Sequence, residues 1–249
     1  PEGGAHQSVG SPLIGMSQDG LAALEPAFVD ELAVIMKWAF EYMQKDGEGD
    51  RDERTWLRDE TGGSVYLRLS TNPIEQPGTR ANDDFRQGTI DGAYWLREPG
   101  PNCEVVIAYQ GCVAPQAIAA AGRIAEVRRD VGVLAVTSAD RLNAGWTAAQ
   151  RDRRRGNARA RSHIEALLSP LPGNCSIVTV IDGHPATLAW LGGVVGHRTI
   201  PLGVEHFGQT GTIADLYDHF GIDANAIVHA ATGLTEGSSE VPALLFVDP

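Results

Sequence analysis

A short apolar run, GLAALEP, leads into AFVDELAVIMKWAFEYM, where Phe28, Leu32, Ile35, Met36, Ala39 and Met43 recur at spacings of three and four. That period predicts an amphipathic helix over 27–43, with this stripe turned inward. The apolar run ends at Glu25-Pro26, and proline is well placed at the first position of a helix. The next stretch, QKDGEGDRDERTWLRDETGG, is charged and broken by glycine, which predicts a surface loop. SVYLRLS, residues 64–70, reads as a strand from its β-branched and aromatic content. Residues 73–92 carry turn signals at Asn72-Pro73, Pro77-Gly78 and Asn82 to Asp84 and show no period, so they read as a linker.

The rhythm changes from about residue 93. CEVVIAYQG, GVLAVTS and SIVTVID are near-continuous apolar runs, and each reads as a buried strand. Between them Pro115 opens a helix with Ile118, Ala121, Ile124 and Ala125 facing in, and ARSHIEALLS forms a short helix. PATLAWLGGVV reads as a helix weakened by Gly192-Gly193, and RTIPLGV as a short strand. TIADLYDHFG and DANAIVHAAT are two more helices, the first ended by Gly221 and the second capped by Asp223. Buried strands alternating with helices predict an α/β protein with a mostly parallel sheet covered on both faces.

Length and charge narrow the classes. The chain has 249 residues, enough for two modest domains or one large one. A net charge of −12 argues against a nucleic-acid-coating protein and against binding to an anionic membrane. No apolar run approaches the roughly 20 residues that span a bilayer. The start is polar and glycine-rich, without the basic and apolar segments of a signal peptide. Three cysteines, Cys103, Cys112 and Cys175, form no zinc or redox spacing and fit a reducing cytoplasm. Cys103 and Cys175 each sit beside a strand start and read as small packing residues.

The chemistry-bearing candidates are few. PEGGAHQSVGSPLIG places Glu2 and His6 in a polar, glycine-rich loop that reads as an active-site loop. DGEGD, at 46–50, reads as solvated loop. His184 follows Asp182-Gly183 at a strand end, where sites collect in parallel sheets. A helix starting there would offer an anion site; the competing reading is a structural or interface histidine. His206, His219 and His229 are spaced too irregularly for ligands on one helix face, and no metal is predicted from them. His163 and His197 have no distinguishing context. RDRRRGNARAR holds six arginines against Asp152 and reads either as a solvated face or as a docking patch for an acidic partner.

Order and spacing carry a resemblance. EGGAHQ, then EPAFVDELAVIM, then SVYLRLSTNPI resembles the second half of the pyrimidine-binding domain of the transketolase superfamily of thiamine-diphosphate enzymes. PLGVEHFGQTGTIADLYDHFGIDANAIVHAA resembles the end of that superfamily's C-terminal domain. Within the superfamily, Glu2 and His6 are similar to the acidic residue and histidine of the dehydrogenase component of the homodimeric pyruvate dehydrogenase complex.

The resemblance implies a pyrimidine-binding part over 1–72, a linker over 73–92 and a three-layer αβα C-terminal domain over 93–249. It implies thiamine diphosphate and Mg²⁺ in the complete enzyme. The Gly-Asp-Gly…Asn motif for the diphosphate and metal, and the glutamate that activates the cofactor, are not found in this sequence. The chain therefore reads as the C-terminal part of an enzyme, inactive alone, or as one whose scaffold a second polypeptide supplies.

The implied reaction is decarboxylation of a small 2-oxoacid, with acyl transfer to a lipoyl group. His6 would bind the substrate or move a proton, and Glu2 would hold His6 or shape the pocket. A homodimer is implied, with the lipoyl acyltransferase component as a further partner. Transketolases proper carry an arginine for a sugar phosphate after the serine of the strand, where this chain has Ser70-Thr71-Asn72. Ketol transfer is therefore the alternative reading, and a non-catalytic dimerisation or docking module is the other.

Overall fold

The computed structural model describes residues 8–45, 57, 59–78, 82–127, 130–206 and 208–235. The chain divides into two compact units, each built from separate stretches of sequence: residues 11–94 with 136–170, and residues 1–10 with 95–135 and 171–249.

The first of these units holds a two-stranded parallel sheet, β1 (Leu21–Leu24) beside β2 (Ser64–Leu67), with Leu21 opposite Ser64 and Leu24 opposite Leu67. Five helices accompany it: α1 (Ser11–Met16), α2 (Val29–Met43), α3 (Asp83–Asp91), α5 (Ala139–Arg154) and α6 (His163–Leu168), while α4 (Ala114–Val127) belongs to the other unit. Ala22, Leu24, Ile35 and Tyr42 form its core, closed by Trp38, Val65 and Leu67. Trp38 and Tyr42 stack at 4.6 Å between ring centroids.

The buried face of α2 is rotated from the expected stripe. Ile35 and Ala39 are buried as expected, but Met43 is 48% exposed, while Tyr42 and Glu31 are buried. Glu31 belongs inside because its carboxylate caps the helix start, accepting from the N–H groups of Ala27 at 2.6 Å and Phe28 at 2.9 Å.

Among the described residues three helices lie where none is expected, the first being α1, inside the stretch read as a glycine-rich loop. Residues 83–91, inside the stretch read as a linker, form α3, because Asn82 accepts from the N–H of Phe85 and Gly92 takes the left-handed φ of 109° that ends the helix. The α5 helix is started by Ser138, which accepts from the N–H of Arg141, and it finishes on Arg151, Arg153 and Arg154, which oppose the negative end of the helix dipole. The first part of the arginine run is therefore the last turn of a helix.

The second unit is a five-stranded, mostly parallel sheet in the order β3-β5-β4-β6-β7. Its strands are β3 (Ala93–Arg97), β4 (Val105–Gln110), β5 (Gly132–Val136), β6 (Ser176–Ile181) and β7 (Arg198–Leu202). The β4–β6 and β6–β7 pairs are parallel, with Val105 opposite Ser176 and Ser176 opposite Arg198. Every residue of β4, β5 and β6 is buried, which accounts for their mostly apolar sequence. The edge strand β3 carries only five residues, AYWLR, too few for the apolar pattern to single it out.

Helix α4, with α7 (Ala186–Ala189), α8 (Ile213–His219) and α9 (Ala224–Thr235), completes this unit. The α4 helix packs on β4 and α9, and α9 on β6 and β7. The inward face of α4 is Ala114, Ala117, Ala120, Ala121 and Ile124, whereas Ile118 is 39% exposed. Alanines let the helix approach its neighbours closely, so the small stripe is the buried one. Asp223 caps α9 as expected, accepting from the N–H of Ala226 at 2.8 Å.

Candidate functional site

Glu2 and His6, and the DGEGD loop, lie outside the described residues. Polar groups converge at other places, most of them on residues that the sequence pattern does not single out.

The carboxyl ends of β1 and β2 lead into Glu25-Pro26 and into Arg68 through Asn72. Arg68 pairs with Glu25, a residue only 4% exposed. Beyond this pair Ser70 and Thr71 are exposed, Asn72 is half-buried, and the turn closes on itself, with the Asn72 N–H donating to the Ser70 hydroxyl at 3.0 Å.

Glu31 extends the polar layer. Its second carboxylate oxygen accepts from the Tyr94 hydroxyl at 2.6 Å. Burial pushes this carboxyl above its ordinary range, against the opposing pull of Tyr94 and the two backbone N–H groups. Asp140 accepts from the N–H of Ala23 at 3.0 Å, and burial pushes its carboxyl up to about 6.

A cleft of about 430 Å³ opens in the same unit, lined on its polar side by Asp59, Asp91, Arg141, Asp152, Asn157 and His163. Arg141 anchors it and is only 4% exposed. Its Nε donates to the Ile90 carbonyl at 2.6 Å, and one Nη donates to both oxygens of Asp59, at 2.9 and 3.2 Å. Its guanidinium carbon also sits 4.7 Å from the ring centroid of Trp38. His163 Nε2 is 2.7 Å from the Ala93 carbonyl. These bonds fix Arg141 and His163 as wall-forming groups; Arg161 also lines the cleft, so its three carboxylates face two guanidinium groups, one of them already paired with Asp59. Arg153 is tied down as well, donating to Glu165 at 2.7 Å and to the Ala160 carbonyl at 2.7 Å.

The sheet of the other unit offers a second position. From β4 the chain crosses to β5 on one side, and from β5 it returns to β6 on the other, so the order reverses between β4 and β6. Ligands of open parallel sheets collect beyond the strand ends at such a reversal. There Cys112 donates to Asp182 at 3.4 Å, and the Tyr217 hydroxyl lies 3.5 Å from the same sulfur. His184 stands two residues further on. Its N–H donates to the Val9 carbonyl at 2.8 Å, and its Nδ1 accepts from the N–H of Ala186 at 3.2 Å.

This geometry removes the anion site expected beside His184. The α7 helix is four residues long, and the imidazole already takes the Ala186 N–H. The histidine serves as a local cap. His206 and His219, which the sequence leaves apart, have ring centroids 6.4 Å apart in a cluster with Phe220. Among the described residues no group of His, Cys, Asp or Glu side chains could hold a metal ion, and no helix is long and apolar enough to cross a membrane.

Comparison with known proteins bears on both units. Residues 92–223 match the family described as the transketolase-like TK C-terminal domain. No curated protein matches the chain. Among solved structures, a transketolase variant from Pichia stipitis is 16% identical, with a TM-score of 0.64 over 94% of this chain and 28% of that one. Transketolase from Leishmania mexicana is 17% identical, with a TM-score of 0.62 over 97% of this chain and 30% of that one. A split-gene transketolase described as an inactive beta4 tetramer is 18% identical, with a TM-score of 0.53 over 92% and 62% of the two chains. The chain thus spans less than a third of the length of the first two.

Proposed function

We propose, for a chain that belongs to the family of transketolase-like C-terminal domains, that it works as the C-terminal part of a thiamine-diphosphate enzyme of the ketol-transferring kind. The observation that carries this reading is the family match over 92–223, which runs from the start of β3 to just beyond α8. The likeness in fold to transketolases from two organisms supports it. In this reading residues 1–72 complete a pyrimidine-binding domain, and 93–249 form the C-terminal domain. The two-stranded sheet of β1 and β2 supports an incomplete domain: Val29, Phe40, Met43, Tyr66 and Leu69 are all at least 40% exposed around it.

The described residues do not fit the cofactor. Glu25 is paired with Arg68, Glu31 is bonded to Ala27, Phe28 and Tyr94, Asp140 is bonded to Ala23, and no metal-binding group is present among them. The cofactor and Mg²⁺ are therefore assigned to the whole enzyme. His6 is proposed to touch substrate there, with Glu2 orienting it. In the complete protein His6→Ala would then lower kcat about 10²–10⁴-fold at unchanged thermal stability.

One observation favours a second reading. The Ser70-Thr71-Asn72 turn carries no arginine to hold a sugar phosphate. This supports oxidative decarboxylation of a small 2-oxoacid, with a lipoyl acyltransferase component as partner and the Arg151–Arg161 run as its docking face. Two assays on the complete native protein separate the readings. Ketol transfer from a ketose phosphate to an aldose phosphate, with no turnover of pyruvate, supports the first. Pyruvate-dependent reduction of ferricyanide without ketol transfer supports the second. Neither activity, together with saturable self-association of this chain, would leave a dimerisation or docking module.

A further inference from the structure

Cys103 and Cys175 are far apart in sequence and adjacent in the fold. Each shortly precedes an interior strand, β4 and β6, and these strands are parallel neighbours with Val105 opposite Ser176. Cys175 is one position before that pair and Cys103 two, while the Ser176 N–H donates to the Glu104 carbonyl at 2.9 Å, so the strand pairing continues to this point. A strand spacing of ~4.8 Å and a stagger of one ~3.3 Å rise put the two Cα atoms about 6 Å apart, inside the ~4.4–6.8 Å range of disulfides. The sulfurs are already 3.8 Å apart, with the Cys175 thiol donating to Cys103.

The two thiols differ in character. The hydrogen bond from Cys175 favours the Cys103 thiolate, outweighing burial, and Cys103 is held below the ordinary thiol range. Cys175, as the donor beside a sulfur that takes the negative charge, is held above it. One thiol is thus set to attack and the other to resolve. Both are shielded, at 0% and 1% exposed, yet Asn102 and Asn174 directly before them are exposed. The pair therefore lies one residue beneath the surface, at the amino-terminal edge of the sheet.

We propose that Cys103 and Cys175 form a redox-responsive clasp that closes as a disulfide under hydrogen peroxide. The Cys103 thiolate attacks the peroxide, the O–O bond breaks, hydroxide leaves and a sulfenic acid forms. Cys175 then attacks the Cys103 sulfur, the S–O bond breaks and water leaves. Two thiols lose two electrons, and one peroxide becomes two waters. The bond would tie β4 to β6 between residues 72 positions apart in the chain, and reduction by a dithiol would reopen it.

The test uses the Cys112→Ser chain, which leaves Cys103 and Cys175 as its two thiols. Folded protein is treated with hydrogen peroxide, quenched and denatured, then examined by thiol titration, intact mass and a non-reducing peptide map. The expected result is loss of both thiols, loss of two hydrogen masses, and a peptide joining Cys103 to Cys175. The thermal midpoint should rise by roughly 5–10 °C and fall back on addition of dithiothreitol. Two intact thiols, oxygen added without a cross-link, or a disulfide between chains would overturn the clasp. So would a Cys103–Cys175 disulfide that lowers the midpoint, since the geometry would then be strained.

Discussion

Asp140 makes a prediction whose sign can fail. Its carboxylate is 6% exposed, at the first turn of α5, and accepts from the backbone N–H of Ala23. Burial is the largest influence on it, and the Ala23 N–H and the Arg141 charge only partly offset the lost water, so the carboxyl rises from 3.8 to about 6. A raised pKa means that the folded state binds the proton more tightly than the unfolded one. The stabilisation is full below about pH 3.8 and is lost as pH rises through about 6. A rise of that size corresponds to about 3 kcal/mol at most. Asp140→Asn keeps an acceptor for the Ala23 N–H and removes the charge. Losing the favourable helix-dipole interaction and burying an amide cost about 1 kcal/mol, which leaves a net gain of about 1–2 kcal/mol at neutral pH. Urea unfolding of both chains from about pH 4 to about pH 7 measures this. The Asn chain should be the more stable at neutral pH, and the difference should vanish or reverse at the acid end. A variant that is less stable at neutral pH, with the wild-type slope retained, would refute the argument that burial dominates at this site.

Three further outcomes rest on equally local geometry. Glu31→Ala removes the carboxylate that accepts from the N–H groups of Ala27 and Phe28 and from the Tyr94 hydroxyl, and should cost about 3–5 kcal/mol in chemical denaturation, with Glu31→Gln losing less. Gly92→Ala should cost about 2 kcal/mol or more in unfolding free energy, read from the thermal midpoint, because φ is 109° and a Cβ would meet the Ser138 carbonyl at 2.6 Å. Glu165 is pushed up by burial, but hydrogen bonds from Arg153 and Ser162 outweigh this and hold it below the ordinary carboxylate range. Its stabilisation is present above about 4.5 and disappears as pH falls through the lowered value. Glu165→Gln should thus lower the thermal midpoint near neutral pH and match the parent in acid.

How far the sequence reveals this molecule depends on what each segment offers as a signal. The strands β4, β5 and β6 are legible because burial on both faces leaves them mostly apolar, and a parallel sheet follows from helices between them. The α5 helix is not legible by the same rule. ADRLNAGWTAAQRDRR buries three alanines, Leu142, Asp140 and Arg141, so its inward stripe has almost no apolar contrast. Its signals are electrostatic: Ser138 at the cap, Asp140 in the first turn and arginines in the last. The α3 helix is hidden similarly, with Phe85 as its one large buried side chain between a capping Asn82 and a terminating Gly92.

The site shows the same division. The strand-end rule points to Asp182 and His184, but not to what gathers there, because Cys112 reaches Asp182, and Tyr217 reaches Cys112, only through the order in which the strands are laid down. Arg141 is equally silent in sequence, one of 20 basic residues. It becomes an anchor only when Asp59, the Ile90 carbonyl and Trp38 converge on it from three separate segments. Cys103 and Cys175 take this furthest. Read singly, each is a small packing residue beside a strand; the parallel register of β4 and β6 makes them a pair. Composition and periodicity describe residues within one element. Chemistry that depends on two elements meeting is written in the topology, and it becomes readable once the strand order is known.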